Sequence, residues 1–449
     1  MAPEDAQYLD KYNTPSEEEP NHIVVIGVGG GGNNAVNHMY RQNIDHVTFV
    51  VANTDQQALR KSPVPTKLLL GPNTTRGRGA GAKPDKAKAA AEESAREIEA
   101  LFTDDTDMVF VTAGMGGGTG TGAAPIVARI AKERGLLTIG IVTIPFLFEG
   151  MVKIDKALAG ADQLSKYVDA IMVVNNERLV EIYPDIDMES SFAKADDVLS
   201  TAASSIAEIV TRSGYINLDF NDVDTTLRDG GTAIIAVGFG EGPGRVTQAI
   251  NNALESPLLR NTDIYTSKRI LFNLYYSTNG KKLQMHEVSE LTSFVQRIEE
   301  QVEVIWGITF DDNLGDKVKF TILASGFDVS IDDKGKKVIK GDKPDTLTGN
   351  NGDQVDLSRI SEVYGTKIDN IVREKETQNF ILFSLATLDD EALLEHFEKS
   401  PTFSRVRRSA SAQPPVATSQ QAGGSTFVPL SDISPIDDDD EFIVDLQDD

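Results

Sequence analysis

The chain has 449 residues, 40% hydrophobic and 25% charged, the balance of a soluble globular protein of about two or three domains. A formal net charge of −26 argues against general nucleic-acid binding, which requires a basic stripe, and opposes attraction to anionic lipid. Without cysteine there is no disulfide framework or thiolate metal site, and the longest apolar stretch, Gly135 to Phe148, is too short for a membrane span and is broken by Pro145.

Residues 1–21 are acidic and polar, neither a secretory signal nor an Arg-rich transit peptide, so a disordered arm on a cytoplasmic protein is expected. From His22 to about Ile186 strand-like runs at 22–28, 46–55, 107–114, 136–146 and 169–177 alternate with helical segments at 33–43 and 123–135. That alternation predicts a parallel α/β sheet, and runs apolar on both faces predict helices on each side of it. A long helix is expected from Phe192 to Arg212, ended by Gly214, with apolar residues at spacings of three and four. It would span roughly 30 Å at 1.5 Å per residue. Beyond it, strands at 232–242, 267–278, 303–312 and 317–327, with helices near 246–254 and 288–301, make a second, α+β domain. A Gly/Asp/Lys-rich stretch follows to about Gln378, then a strand at 379–388, a short helix at 389–400, a flexible linker and an acidic end.

Two glycine-rich loops carry the chemistry. In the first, a strand runs into Gly27-Val28-Gly29-Gly30-Gly31-Gly32-Asn33-Asn34 and a helix. Such glycines let a backbone approach a ligand, and the helix N-terminus favours an anion. With Asp55 placed 23 residues after Gly32, the pattern also satisfies the dinucleotide fingerprint, so phosphate is implied and the nucleotide stays open. The second loop, Gly114 to Gly122, has six glycines in nine residues between a strand and a helix whose first turn is expected to hold Pro125. Its threonines offer hydroxyls beside bare amides, and it lacks the Gly-Lys-Ser/Thr ending of a Walker loop. No lysine faces the phosphates from this loop, so a divalent ion, naturally Mg²⁺, is expected to balance their charge.

GMGGGTGTGAAP at 114–125 resembles the signature loop of the tubulin/FtsZ family, its bacterial branch most closely. The resemblance runs from Ile23 to Phe327 and includes GVGGGGNNAV, ANTDQQAL, GAGAKP, PFLFEG, ADDVL, NLDFNDV and SPLL in order. It implies a Rossmann-like parallel-sheet GTPase domain, a long central helix, an α+β C-terminal domain and a disordered acidic tail. The boundaries would be 22–191, 192–214 and 215–328, followed by an extension at 329–400, a linker at 401–435 and a tail peptide at 436–449. GTP or GDP would meet Gly30, Gly31, Gly32, Asn33 and Asn34, and Gly117, Gly118, Thr119, Gly120 and Thr121. Gly79, Ala80 and Gly81, with Ala82, would close over the γ-phosphate, Glu149 and Lys153 would lie by the ribose and phosphates, and Asn176 and Asp196 would read the base. A carboxylate can accept from guanine N1–H and N2–H₂ together. Asp196 is also expected in the first turn of the long helix, where the dipole alone would favour it; Phe192 either stacks on the base or belongs to the core.

The same resemblance implies that Asn217, Asp219 and Asp222, on an extended loop, enter the next subunit's pocket, polarise the attacking water and help hold the cation. A self-assembling GTPase of the cytokinetic ring would follow, in the cytoplasm at mid-cell on the inner face of the membrane. Its partners would be itself, in head-to-tail filaments, and membrane-tethering adaptors through the tail around Phe442, Ile443, Val444 and Leu446, with no nucleic acid and no direct membrane insertion. Lys153 stands where the family commonly has arginine, Asn175 where it has proline, and the tail ends on Asp448-Asp449 where relatives often carry basic residues.

Overall fold

Alternation of apolar runs with amphipathic segments builds one continuous sheet. The computed structural model describes residues 22–42, 44, 46–256, 264–298, 301–327, 346–348 and 354–365. The order begins β1 (Ile23–Val28), α1 (Gly29–Arg41), β2 (Val47–Asn53), α2 (Gln56–Lys61), β3 (Thr66–Leu69), α3 (Pro72–Thr75), α4 (Pro84–Glu93), α5 (Ala95–Glu99), β4 (Met108–Gly114) and α6 (Thr119–Glu133). It continues with β5 (Leu137–Ile144), α7 (Met151–Ser165), β6 (Ala170–Asn175), α8 (Asn176–Ile182), α9 (Met188–Thr211), β7 (Gly214–Ile216), α10 (Phe220–Leu227) and β8 (Gly231–Gly240). Then come α11 (Arg245–Leu254), β9 (Arg269–Tyr276), α12 (Met285–Val295), β10 (Glu303–Phe310) and β11 (Val318–Ser325).

The sheet order is β3-β2-β1-β4-β5-β6-β8-β11-β9-β10-β7. The six strands β1 to β6 pair in parallel, as expected, and β1, β5 and β11 are buried along their whole length. β8 joins this sheet to the second domain through a short parallel pairing with β6, Ala170 to Gly231 and Ile171 to Thr232. β11 then runs antiparallel to both β8 and β9. One core gathers β1, β2, β4, β5 and α1 with Leu199, Ala202, Ala203, Ile206 and Ile209 of α9. A second packs α11 and α12 on β8, β9 and β11.

The expected elements within the described residues stand, but several boundaries move, and the helix expected at 288–301 runs over Met285–Val295. α9 starts one turn before Phe192 because the Asp187 carboxylate accepts from Ser190 N at 2.9 Å and so caps it. It stops at Thr211, and Gly214 opens β7 instead of closing the helix, since a Cβ there would lie 2.1 Å from Ile308 O. With 24 residues α9 is about 36 Å long. α1 begins at Gly29, not at Asn33, so the glycine run is the helix's own first turn. α6 begins at Thr119, which puts Pro125 in its second turn.

The first compact unit ends at Val355 and a second begins at Asp356, whose described part is mainly the helix α13 (Leu357–Tyr364). Short strands β12 (Thr346–Thr348) and β13 (Gln354–Asp356) pair as a separate two-stranded sheet. These elements fall inside the stretch read as a variable extension. The N-terminal arm, the strand at 379–388, the helix at 389–400, the linker, the acidic tail and most of SPLL lie outside the described residues.

In the second domain a fully buried Arg245 meets Glu287, with Nε–Oε1 at 2.9 Å and Nη2–Oε2 at 3.1 Å. Its Nη1 also donates to Asp316 O at 2.7 Å, so the cation is satisfied where it is buried. Removing one partner strands the other: Glu287→Ala is expected to cost about 3–5 kcal/mol of stability, and an unchanged denaturation midpoint would contradict this.

Candidate nucleotide site and the distant acidic loop

β1 runs into α1 and β4 into α6 at the carboxyl edge of the sheet, on either side of the point where the strand order reverses. Glycine lets these two starts touch. A Cβ on Gly29 would lie 2.8 Å from Gly120 N, one on Gly32 2.2 Å from Thr112 O, and one on Gly120 2.5 Å from Gly114 O. Gly30 and Gly117 differ, because nothing lies within 4 Å of where their Cβ atoms would stand. Two helix N-termini therefore converge on a space edged by bare backbone. Neither helix has an acidic first-turn residue or a side-chain cap, so both positive ends face that space.

Asn33 is buried and Asn34 exposed in the first turns of α1. Around the second loop, Gly79, Gly81 and Ala82 are left-handed at φ 81, 63 and 57°. Their turn covers Gly118, where a Cβ would come within 2.9 Å of Ala80 Cβ. The threonines serve the loop itself. Thr121 Oγ1 accepts from Gly116 N at 2.8 Å, and the Thr119 and Thr54 hydroxyls meet at 2.7 Å. Thr54 was not anticipated; as one threonine ending a strand it carries no signal of its own. Gly116 packs against Lys153, whose ammonium pairs with Glu149, while Glu149 Oε1 also accepts from Phe146 N at 2.9 Å.

On the next strand end, Asn176 is buried and its Oδ1 has no partner among the described residues. A buried acceptor left so is costly unless a ligand donates to it. Asn175, standing in place of the usual proline, caps α8 by accepting from Glu177 N at 3.0 Å. Glu177 in turn holds Leu147 N at 3.1 Å, linking this strand end to the Pro145–Gly150 segment. α9 brings in Asp196 from the other side. α9 packs on α1 through His38 Nδ1 to Asp197 Oδ1 at 3.3 Å and Ser200 Oγ to Gln42 Oε1 at 3.0 Å.

Asp196 lies in the third turn of α9, not the first, because the helix starts at Met188; the dipole therefore does not account for it. Burial, with the Asp197 charge adding to it, pushes its carboxyl up to about 7. Phe192 is partly exposed and stands edge-on to Phe146 at 5.1 Å, beside Phe148. Asp55, the acid that the dinucleotide fingerprint would set on a ribose, accepts from Gln57 N at 2.8 Å and caps α2.

Asn217, Asp219 and Asp222 are not at this cluster. They follow the far end of α9, about 22 Å of helix rise beyond Asp196. α10, which they open, ends against the amino edge of the sheet, where Gly231 N meets Asp169 O at 3.0 Å. The expected extended loop is a helix start. Asp219 N donates to Asp222 Oδ2 at 2.9 Å and Asp222 N to Asp219 Oδ1 at 3.1 Å, a reciprocal capping box. Asn217 Oδ1 accepts from Gly214 N at 2.6 Å, and both Asn217 and Asp219 are exposed.

A family model described as "Tubulin/FtsZ family, GTPase domain" matches residues 22–184, and one described as "FtsZ family, C-terminal domain" matches 231–328. The chain is 47% identical over 406 residues to the cell division protein FtsZ of Porphyromonas gingivalis, covering 89% of this chain and 88% of the relative. It resembles an empty FtsZ dimer from M. jannaschii at TM-score 0.64 and 37% identity, over 73% of this chain and 93% of that one. At the level of the fold alone it matches a GTPγS-bound protofilament of CetZ2 from Haloferax volcanii, with TM-score 0.56 and 20% identity over 68% and 92% of the two chains. The chain thus belongs to the tubulin/FtsZ family and is a GTPase.

Proposed function

We propose that this GTPase assembles head to tail into filaments of the cytokinetic ring and splits GTP only where one subunit's acidic loop meets the next subunit's nucleotide. The observation that carries the reading is the placement of the two halves: the glycine cradle with Asn176 and Asp196 at the carboxyl edge of the sheet, Asp219 and Asp222 beyond the far end of α9. One chain cannot bring both to one nucleotide, and a contact joining opposite ends generates an open filament. The likeness to a relative named for cell division and to an FtsZ dimer supports the same reading.

In this mechanism the N–H groups of Gly30 to Asn34 and Gly117 to Thr121 receive the phosphates, with Gly79, Ala80 and Gly81 covering them. Lys153, oriented by Glu149, adds positive charge. Asn176 Oδ1 and Asp196 accept from guanine. In the donated loop each aspartate spends one oxygen on the capping box, so the second oxygen of Asp219 and Asp222 is left to accept from a water and aim it at the γ-phosphate. Phosphoryl transfer needs chiefly such placement and charge stabilisation. Mg²⁺ would fit hard oxygen donors, the phosphates and the carboxylates of Asp219, which is exposed, and Asp222, which is half-buried. It would neutralise charge on the phosphates. The site of action is the division site, with adaptor proteins bound through the tail.

Three outcomes are expected. Phosphate release from GTP should show a threshold in protein concentration that coincides with pelletable polymer; a constant rate per molecule in dilute protein would sink the filament reading. Asp222→Ala should keep GTP affinity and lose turnover by about 100-fold or more, whereas wild-type turnover would remove the loop from the chemistry. Guanine needs Asp196 ionised while burial holds its proton to about 7. GTP affinity should therefore rise about tenfold from about pH 6 to about pH 8, and Asp196→Asn should flatten that profile.

A further inference from the structure

Arg212 follows the last turn of α9, five residues before Asn217, and its guanidinium bridges acids on two different elements. Nη1 lies 3.0 Å from Asp311 Oδ1 and Nη2 lies 3.7 Å from Glu208 Oε1. Asp311, directly after β10, is 8% exposed, and its Oδ1 also accepts from Asn313 N at 3.2 Å. Glu208 is held on its other oxygen by Lys319 Nζ at 2.5 Å. Lys319 is itself buried in β11, with its ammonium 4.0 Å from the centre of the Tyr275 ring. A helix end needs none of this; a carbonyl and water would suffice, and half-buried charges are costly to gather.

The residues after Arg212 give the network a purpose. β7 has three residues, and its pairing with β10 shifts register between Ile308 and Thr309, too little ladder to fix a loop by itself. Phe310 N reaches Ser213 O only at 3.4 Å. Yet everything downstream takes its direction from β7. Gly214 N holds Asn217 Oδ1, Leu218 plugs against Gly307, and Asp219 then opens α10. The opposite end of α10 is tied independently to the GTPase domain. There Arg228 Nη1 lies 3.6 Å from the buried Asp169 carboxylate, Asp229 N is 3.4 Å from it, and Lys132 Nζ stands 3.5 Å from Asp229 Oδ1.

We propose that Arg212 is a positioning residue for hydrolysis: by bridging Glu208 and Asp311 it locks β7 onto β10 and sets the aim of Asn217, Asp219 and Asp222 into the neighbouring subunit's nucleotide. This rests on the donated-loop reading above. Because α10 keeps its own anchor, loss of Arg212 shifts the loop and leaves the fold standing.

The test compares Arg212→Met, which keeps the stem, Arg212→Lys, whose single nitrogen cannot bridge both acids, and Asp311→Asn. GTP affinity of dilute protein, sedimented fraction, unfolding midpoint and phosphate release per assembled subunit are measured on the full chain. Arg212→Met should lose at least about tenfold in turnover, with GTP affinity and sedimented fraction unchanged, and Arg212→Lys should fall between it and the wild type. Normal turnover in Arg212→Met overturns the proposal, as does a loss that tracks the unfolding midpoint or GTP affinity across the variants. Should Arg212→Met fail to fold, Asp311→Asn decides by the same criteria. Asp222→Ala measured alongside separates the two claims: wild-type turnover there fails the donated loop, while an inactive Asp222→Ala beside a normal Arg212→Met fails this inference alone.

Discussion

Backbone-to-backbone contact between two glycine-rich helix starts is the constraint on which the rest depends. Gly29 against Gly120, and Gly31 against Gly114, bring the N-termini of α1 and α6 side by side at the carboxyl edge of the sheet. Any side chain there would force the starts apart, and two helix dipoles would no longer point at one place. The same contact explains why glycines of similar appearance do different work. A Cβ on Gly32, Gly120 or Gly122 would lie 2.2, 2.5 or 2.0 Å from a neighbouring carbonyl oxygen, whereas Gly30 and Gly117 border open space. A space edged by bare backbone is a by-product of that division between packing and exposure.

The second determinant is α9, which works as a strut with differently built ends. Near the cradle it is held by a His38–Asp197 contact and by Ser200 on Gln42. Near the acidic loop it is held by Lys319 and Arg212 acting on Glu208 and Asp311. Its middle is apolar and belongs to the core that includes β5, β6 and β8. Nothing in the middle can yield without opening that core, so the separation of Asp196 from Asp219 is a rigid property of the subunit. On the proposed reading, a chemistry divided across such a strut is completed by a neighbour.

Electrostatics sharpen the division. Asp196 is buried beside another aspartate and its carboxyl rises to about 7. Asp219 and Asp222 are relieved by backbone N–H groups of their own helix start. The cradle end thus holds a buried acid beside a like charge, and the loop end holds acids that accept from the backbone of their own helix start. Asn176 Oδ1, buried without a partner among the described residues, adds an acceptor that the folded chain does not satisfy.

While β3, β7 and the helices α2 to α5, α7, α8 and α10 emerged only in the structure, the sequence by itself determined the main strands and several helices, because apolar periodicity and glycine runs are local signals. It placed the two glycine-rich loops, the parallel sheet, the long helix and the four strands of the second domain. It also contained signals that were local yet unread: Asp187 three residues before Ser190 and Asp219 three before Asp222 are capping patterns, and they move the start of α9 and turn the supposed extended loop into a helix. Only the tertiary structure decided the rest. The raised carboxyl of Asp196, the use of Thr121 and Thr119 inside the protein, the meeting of His38 with Asp197, and the bridge from Arg212 to Asp311 each join residues through packing. Burial and charge pairing depend on what arrives from elsewhere in the chain, and no spacing along the sequence encodes that arrival.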